Sequence, residues 1–168
     1  ANADNPVDRM VDIASTPIIN NQTIYIMAYQ GKVKALDLNS RQQIWSRDIS
    51  GYQDITQDAH HIFLTTTDSQ VIALDKTSGQ TIWVQKKLAN RTNSAPTVLN
   101  SKYLLVGDYA GYVHILSIQD GSLLGREKLF KNMINTKAQS LGPVTIVNSI
   151  NGQIKAIAIK KAIYNKNK

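Results

Sequence analysis

A twelve-residue phrase that occurs twice constrains the fold of this chain more than any other feature of its sequence. Residues 34–45 return as residues 72–83, with an offset of 38 residues. A period of about 40 residues, made of β-forming residues around a polar turn, is typical of a β-propeller, in which each repeat forms one small antiparallel sheet. Each copy holds an aspartate and, eight residues later, a tryptophan: Asp37 and Trp45, then Asp75 and Trp83.

Two weaker copies follow. The third is centred on residues 111–121, with Leu124 where the tryptophan stood, and the fourth spans residues 151–159. Ser69 opens the second phrase, and a glycine opens the other three: Gly31, Gly111 and Gly152. We therefore predict four propeller repeats, at about 11–50, 51–90, 91–131 and 132–159, preceded by a linker or cut end at 1–10 and followed by a basic tail at 160–168.

Apolar residues alternate within each repeat. In the first copy, Ile24 and Ile26, and then Val33 and Ala35, have the period-two spacing of strands with two different faces. Polar turn residues separate these runs, so we predict an all-β fold. The last copy has no segment for a fourth strand, which suggests that its donor lies in sequence outside this chain.

The repeated aspartates and tryptophans are interpreted as structural residues. Asp37 and Asp75 stand where a strand enters a turn, and a short carboxylate there can accept hydrogen bonds from backbone N–H groups. Trp45 and Trp83 are placed to cover the neighbouring blade and to bury a large apolar area.

Composition excludes several kinds of chemistry. The 168 residues include no cysteine, so disulfides, thiol catalysis and cysteine-bound metals are excluded. The net charge is +7, but the charges are scattered and no basic helix or aromatic-basic surface is evident, so we predict no binding to nucleic acid.

No catalytic or cofactor motif is visible. His60 and His61 are adjacent and His114 is alone, and none has a second ligand at the spacing of a metal site. The sequence has no Gly-x-Ser-x-Gly elbow and no phosphate-binding loop. Calcium needs several converging oxygen ligands, whereas the acidic residues lie in different segments. We therefore predict no enzyme activity, no metal and no cofactor.

The repeats resemble the blades of quinoprotein-type propellers, the repeats named after the cofactor PQQ. Beyond the repeat, an ordered series of loops makes residues 8–160 resemble the C-terminal half of the BamB family. The matching stretches are 8–13 running into Thr16-Pro17, 28–31 with 35–38, 94–98, and 106–108 with 111–114. The resemblance implies an eight-bladed propeller, of which this chain would supply about four blades.

The resemblance also implies a function and a contact loop. Proteins of this family are scaffolds of the outer-membrane β-barrel assembly (BAM) complex. They are lipid-anchored in the bacterial periplasm and bind the POTRA domains of BamA; unfolded outer-membrane clients are a further class of partner that the resemblance suggests. The family's contact loop carries an acidic pair before a Thr-Pro. Here that loop holds Asp12 and Ile13, with Arg9 nearby, but Ala14 stands where the second carboxylate is expected.

Other functions and contacts stay open on the residues alone. The chain could be a propeller interaction module with another partner, or a fragment of a quinoprotein dehydrogenase, although the adjacent cysteines of those enzymes are absent. The loops offer further candidate contacts: Tyr29, Tyr52, Tyr109, Tyr112 and Arg91. An open half-ring leaves two bare blade faces, so we expect it to self-associate through them or to fray at its ends.

Overall fold

The computed structural model of the protein describes residues 15–28 and 31–158, which form fifteen β-strands in four antiparallel sheets. The first sheet contains β1 (Ile18–Asn20), β2 (Thr23–Met27), β3 (Val33–Asp37) and β4 (Gln43–Arg47). The second contains β5 (Thr56–Gln57), β6 (His61–Thr65), β7 (Val71–Asp75) and β8 (Thr81–Gln85). The third contains β9 (Thr97–Leu99), β10 (Tyr103–Gly107), β11 (Tyr112–Ser117) and β12 (Leu123–Lys128). The fourth contains β13 (Gln139–Leu141), β14 (Val144–Asn148) and β15 (Ile154–Ile157).

Each sheet is a meander in which strands that follow one another in sequence are hydrogen-bonded neighbours. Within the described ranges no residue is helical, so the prediction of an all-β fold is confirmed. It follows that this part of the chain also has no helix long and apolar enough to span a membrane.

The strand register corrects one detail of the repeat. Trp45 pairs with Ala35 and Trp83 with Ala73, and in the third sheet the corresponding pair is Ile115 with Gly125. Gly125, and not Leu124, therefore stands in the tryptophan position. A bulge in the outer strand of each of these sheets skips one residue before that position. The spacing from the opening glycine agrees, since Trp45 and Gly125 lie equally far from Gly31 and Gly111.

The cores lie between neighbouring sheets. Tyr25, Val33 and Ala35 on the first sheet pack against Ile62 and Leu74 on the second, as the alternation of a strand requires. The same arrangement recurs between the second and third sheets and between the third and fourth. Each sheet thus depends on its neighbours for burial, as in other repeat arrays.

Each tryptophan connects its sheet to the next one. The Trp45 indole donates to the Lys76 carbonyl (3.0 Å) and its ring covers Gly79. Trp83 donates to the Ile118 carbonyl (2.8 Å) and its ring covers Gly121. Both glycines lie in the turn that follows the third strand of the next sheet, so the tryptophans have the inter-blade position that their role requires.

The repeated aspartates organise these same turns. The Asp75 carboxylate accepts hydrogen bonds from the Ser78 N–H (2.7 Å) and hydroxyl (2.8 Å) and from the Thr77 N–H (3.1 Å). Asp37 makes the equivalent bonds in the first sheet. In both cases the hydrogen bonds to the serine hold the pKa of the carboxyl below its usual value.

Replacing Asp75 with alanine should therefore destabilise the protein slightly. The turn is exposed, so solvent competes for its donors, and we expect the free energy of unfolding to fall by about 0.5–1 kcal/mol. Urea unfolding followed by tryptophan fluorescence measures this difference. An unchanged midpoint and slope for Asp75→Ala would show that the carboxylate does not stabilise the turn.

Candidate functional site: the turn face

One end of the sheets carries both the turns after each second strand and the connections between sheets. In the second, third and fourth sheets the N–H of one turn residue donates to a carbonyl of the preceding connection: Thr67 to Ser50 (3.0 Å), Tyr109 to Arg91 (3.0 Å) and Ile150 to Met133 (2.9 Å). We call this surface the turn face; it comprises turns 66–70, 108–111 and 149–152 and connections 48–55, 86–96 and 129–138. The repeated bond fixes each of these turns against the connection that precedes its sheet.

The turn face exposes large side chains. Tyr52, Tyr109 and Ile150 are exposed there. Arg91 is partly buried and stacks over the Tyr109 ring, with its guanidinium carbon 5.5 Å from the ring centroid. Of the other predicted contacts, Tyr112 is half-buried under the cations of Arg126 and Lys128, and Tyr29 lies outside the described residues. Aromatic and arginine side chains in such positions are common in protein interfaces.

A buried carboxylate anchors the centre of the turn face. Asp108 is fully buried and accepts hydrogen bonds from His114 Nε2 (2.8 Å) and Arg91 Nε (2.8 Å). It also accepts from the backbone N–H groups of Ala110 (2.9 Å) and Tyr112 (3.0 Å). Asp108 therefore links a connection, a turn and strand β11 through one side chain.

The hydrogen bonds to Asp108 outweigh the cost of its burial. Burial by itself raises the pKa of a carboxyl, but donation from His114, from the Tyr112 N–H and from Arg91 leaves the pKa of Asp108 below its usual value. The group is thus an anion in the folded protein at neutral pH. Buried and fully bonded in this way, it stiffens the turn face and offers no free oxygen for chemistry.

The histidines do not form a metal site. His114 Nε2 is engaged in the hydrogen bond to Asp108 described above. His61 Nδ1 lies 3.0 Å from an Asp58 carboxylate oxygen, and His60 is exposed. Residues 15–28 and 31–158 contain no group of three or more potential metal ligands.

The other acidic residues on these loops serve separate local structures. Asp54 accepts from the Thr16 N–H (2.7 Å), and Asp68 bonds the side chains of Thr66 and Gln70 in its own turn. They do not converge on one point, as the oxygen ligands of a calcium site must.

The glycines that open the phrases lie in equivalent turns. The N–H groups of Gly31, Gly111 and Gly152 donate to the carbonyls of Ala28, Asp108 and Ser149, and Ser69 does the same with Thr66. Gly111 has a φ of 82°, and a Cβ there would lie 2.2 Å from the Phe130 carbonyl oxygen. Ser69 adopts a φ of 66°, and its carbonyl accepts from the Asn93 amide (2.6 Å).

The three residues predicted to contact a partner, Asp12, Ile13 and Arg9, lie outside the described residues, as does Ala14. The structure begins at Ser15, immediately after that loop. Sequence reasoning missed the Asp108 cluster: Asp108 and His114 lie in one stretch of the family resemblance, but nothing in the sequence links either residue to Arg91.

The successive meander sheets and their shared register define the class of protein as a β-propeller built from PQQ-type repeats. The family model described as "Outer membrane protein assembly factor BamB" matches residues 1–85. The chain belongs to this family, which confirms the resemblance seen in its loops.

Individual relatives agree with the family match. The chain is 33% identical to the outer membrane protein assembly factor BamB of Pseudomonas aeruginosa over 92% of its own length and 40% of the relative's. It is 30% identical to that of Escherichia coli K12, over 90% and 38% of the two lengths. The chain therefore spans about two-fifths of the length of these curated relatives.

Solved structures show the same fold. BamB from Moraxella catarrhalis superposes with a TM-score of 0.83 at 24% identity, over 90% of this chain and 46% of that one. The designed protein Ika4 gives a TM-score of 0.76 at 15% identity, over 90% and 93% of the two chains. A quinohemoprotein alcohol dehydrogenase from Comamonas testosteroni gives 0.69 at 15% identity, over 83% and 29%. All three likenesses are of fold alone, and they confirm the predicted propeller fold.

Proposed function

We propose that this chain forms part of a non-enzymatic scaffold of the BAM complex, which binds the periplasmic POTRA domains of BamA through its turn face. The scaffold would support assembly and insertion of β-barrel proteins into the outer membrane, and unfolded clients are a second class of ligand. Membership of the BamB family is the observation that carries this proposal. The corresponding location is the periplasmic side of the outer membrane, with a lipid anchor on the complete protein.

The strand register supports a position for Asp12 on the turn face. Ile18 and Thr97 are equivalent, because each pairs with the same position of a second strand, Tyr25 or Leu105. Asp12 and Arg91 lie equally far before them in the sequence, so these two residues correspond. The segments that precede the first and third sheets are equivalent as far back as Ser15, the first described residue. The Ser15 hydroxyl accepts a hydrogen bond from the Met27 N–H (3.3 Å). In the third sheet, Ser94 accepts in the same way from Gly107 (2.9 Å). The count therefore supports the proposal that Asp12 takes the position whose later equivalents, Ser50, Arg91 and Met133, each accept a hydrogen bond from a turn.

Rigidity favours this surface for binding. The Asp108 cluster fixes one turn and its connection, and Lys137 Nζ donates to the Ile55 carbonyl (2.8 Å), which joins the connections before the second and fourth sheets. Burial lowers the pKa of Lys137, as expected for an ammonium that has lost part of its water. A surface held in this way loses little conformational entropy when it binds a partner.

Changing the charge of the Asp12 loop tests the proposal. We expect Asp12→Arg to weaken binding of the chain to the purified POTRA domains of BamA from the same organism by at least tenfold in Kd, measured by calorimetry. Glu127→Arg is the control, since it makes the same change of charge on exposed strand β12. Ala14→Asp restores the acidic pair and should tighten binding.

Two outcomes would count against the proposal. Equal weakening by Asp12→Arg and Glu127→Arg would show a general electrostatic effect instead of a contact at this loop. Binding that is absent in the chain and also in the full-length protein would reject BamA as the partner.

A further inference from the structure

The third sheet carries two cations stacked on one aromatic ring, although no aromatic-basic surface is evident in the sequence. The guanidinium carbon of Arg126 and the Nζ of Lys128 each lie 5.3 Å from the centroid of the Tyr112 ring. Arg126 and Lys128 are exposed near the end of strand β12, whereas Tyr112 is half-buried at the start of strand β11. We call these three residues the cation cluster.

The strand register places the cation cluster between the two inner sheets. Tyr112 pairs with Lys128, and the next pair on this side of the sheet joins His114 to Arg126. Cross-strand partners project from the same side of a sheet. Leu116, two residues beyond His114, faces the same way and packs in the core between the second and third sheets. The cluster therefore lies at the outer margin of that contact, away from the first and fourth sheets.

No acidic side chain of the described residues neutralises the two cations. Within residues 15–28 and 31–158, neither Arg126 nor Lys128 lies within ion-pairing distance of a carboxylate. Glu127 stands between them in the sequence, but it pairs with Val113, which packs on the opposite side, in the core against the fourth sheet. Two positive charges are therefore available to a ligand on one side of the outer strand.

The tyrosine ring holds the two cations together. Like charges repel each other, so two unrestrained side chains would diverge in water. A ring attracts cations that lie within about 6 Å of its centroid. The ring is in turn fixed by its backbone, because the Tyr112 N–H donates to the buried Asp108 carboxylate (3.0 Å), whose charge is already shared by Arg91 and His114. An anion would thus meet a preorganised pair of donors, which lowers the cost of binding.

We propose that the cation cluster binds the phosphomonoester group of an anionic ligand. Side chains two residues apart on a strand are rooted about 6.5 Å from each other, so one tetrahedral phosphate can accept hydrogen bonds from both. The guanidinium offers two parallel N–H groups and the ammonium a compact charge. A phosphomonoester carries close to two negative charges at neutral pH, which match the two cations, whereas a carboxylate carries only one.

Single-stranded nucleic acid fits this cluster less well. Its recognition depends on aromatic rings on which successive bases can stack. Tyr112 is half-buried and already lies under two cations, so its ring is not free for a base. A phosphodiester also carries a single negative charge for each group.

Titration of the isotope-labelled 168-residue chain with inorganic phosphate is the first test, at an ionic strength held constant with chloride. The amide signals of Tyr112, Arg126 and Lys128 should shift together and give one dissociation constant. The double variant Arg126→Gln with Lys128→Gln should raise this constant at least tenfold. Arg41→Gln with Lys102→Gln is the matched control, because it removes the same charge from exposed positions outside the cluster.

Tyr112→Leu separates a preorganised site from simple attraction between charges. The variant keeps both cations and removes the ring that holds them, so the affinity for phosphate should fall at least threefold at unchanged net charge. Circular dichroism checks that every variant is folded. Sedimentation with vesicles of phosphatidylcholine, with and without phosphatidic acid, identifies the source of the phosphate. Cluster-dependent binding to phosphatidic acid indicates a lipid headgroup, and phosphate binding without it indicates a soluble ester.

Four results would overturn the proposal. Phosphate could leave the signals of the cluster unshifted, or the cluster and control variants could lose equal affinity, which would show a general effect of charge. Succinate that binds the cluster as tightly as phosphate would assign it to carboxylates of a partner. Cluster-dependent binding of an oligothymidine that is tighter than binding of phosphate would assign it to nucleic acid.

Discussion

Replacement of Asp108 by alanine is expected to lower the free energy of unfolding by about 3–5 kcal/mol, the range found when one partner of a buried ion pair is removed. The substitution leaves Arg91, His114 and two backbone N–H groups without their acceptor. The carboxylate is fully buried. A water molecule could replace it as the acceptor only by entering the interior of the protein. The loss in the free energy of unfolding should therefore far exceed the loss caused by replacing an exposed turn aspartate.

Urea unfolding measures this effect, with Asp120→Ala as the control. Asp120 also accepts hydrogen bonds in a turn, but it is exposed. Asp108→Asn keeps the shape and some acceptor capacity, so its loss should be intermediate. If Asp108→Ala cost no more than Asp120→Ala, the buried cluster would not be a major source of stability.

The pH dependence of stability follows from the same contacts. The pKa of Asp108 is lower in the folded protein than its ordinary value of 3.8. Its contribution is therefore present above that ordinary value and is lost as the pH falls through the lower, folded value. Unfolding curves at pH 6 and at pH 3 should show a larger acid loss for the wild type than for Asp108→Asn. An equal loss in the two proteins would assign acid sensitivity to other carboxyls.

Replacement of Trp83 by alanine is expected to have an effect of similar size, about 3–5 kcal/mol, as for other large aromatic side chains in a core. Its ring packs near Phe63 (5.9 Å between centroids) and covers Gly121, and its indole N–H donates to Ile118. The substitution would open a cavity between the second and third sheets and loosen one complete inter-sheet contact.

Thermal and urea unfolding of Trp83→Ala should be compared with that of Ile82→Ala, the exposed neighbour on the same strand. The reciprocal change, Gly121→Ala, should also destabilise, because its Cβ would lie 2.5 Å from the Trp83 ring at a φ of 68°. If the two changes act on one contact, the double variant should lose less than the sum of the single losses. Additive losses would contradict a shared contact.

The features that sequence predicts well here are those that recur. Asp75 and Trp83 repeat an earlier pair, so the repeat by itself indicates their common role in a turn and an interface. A count from the opening glycine, as from Gly31 to Trp45, leads from Gly111 to Gly125, because the bulge recurs in all three sheets and leaves the spacing unchanged. The assignment of the tryptophan position to Leu124 is therefore an error of alignment in the weak third copy, which has no tryptophan to mark it.

The Asp108 cluster lies beyond such inference. His114 and Arg91 occupy positions that hold other residues in the other repeats, and only the packing of a connection against a turn brings them to one carboxylate. The contact loop at Asp12 is inferred from family resemblance, and its assignment to the turn face comes from counting strand register. Periodicity alone would not distinguish that loop from the others.

Hydrogen exchange of the chain with and without the POTRA domains of BamA tests the central claim most directly. We predict that binding slows exchange on the turn face, in connections 48–55 and 86–96 and in turn 108–111, and also in residues 9–15. Turns 38–42, 76–80 and 118–122, at the opposite end of the sheets, should be unaffected. Protection confined to those opposite turns, or to the outer strands, would contradict binding of the partner through the turn face.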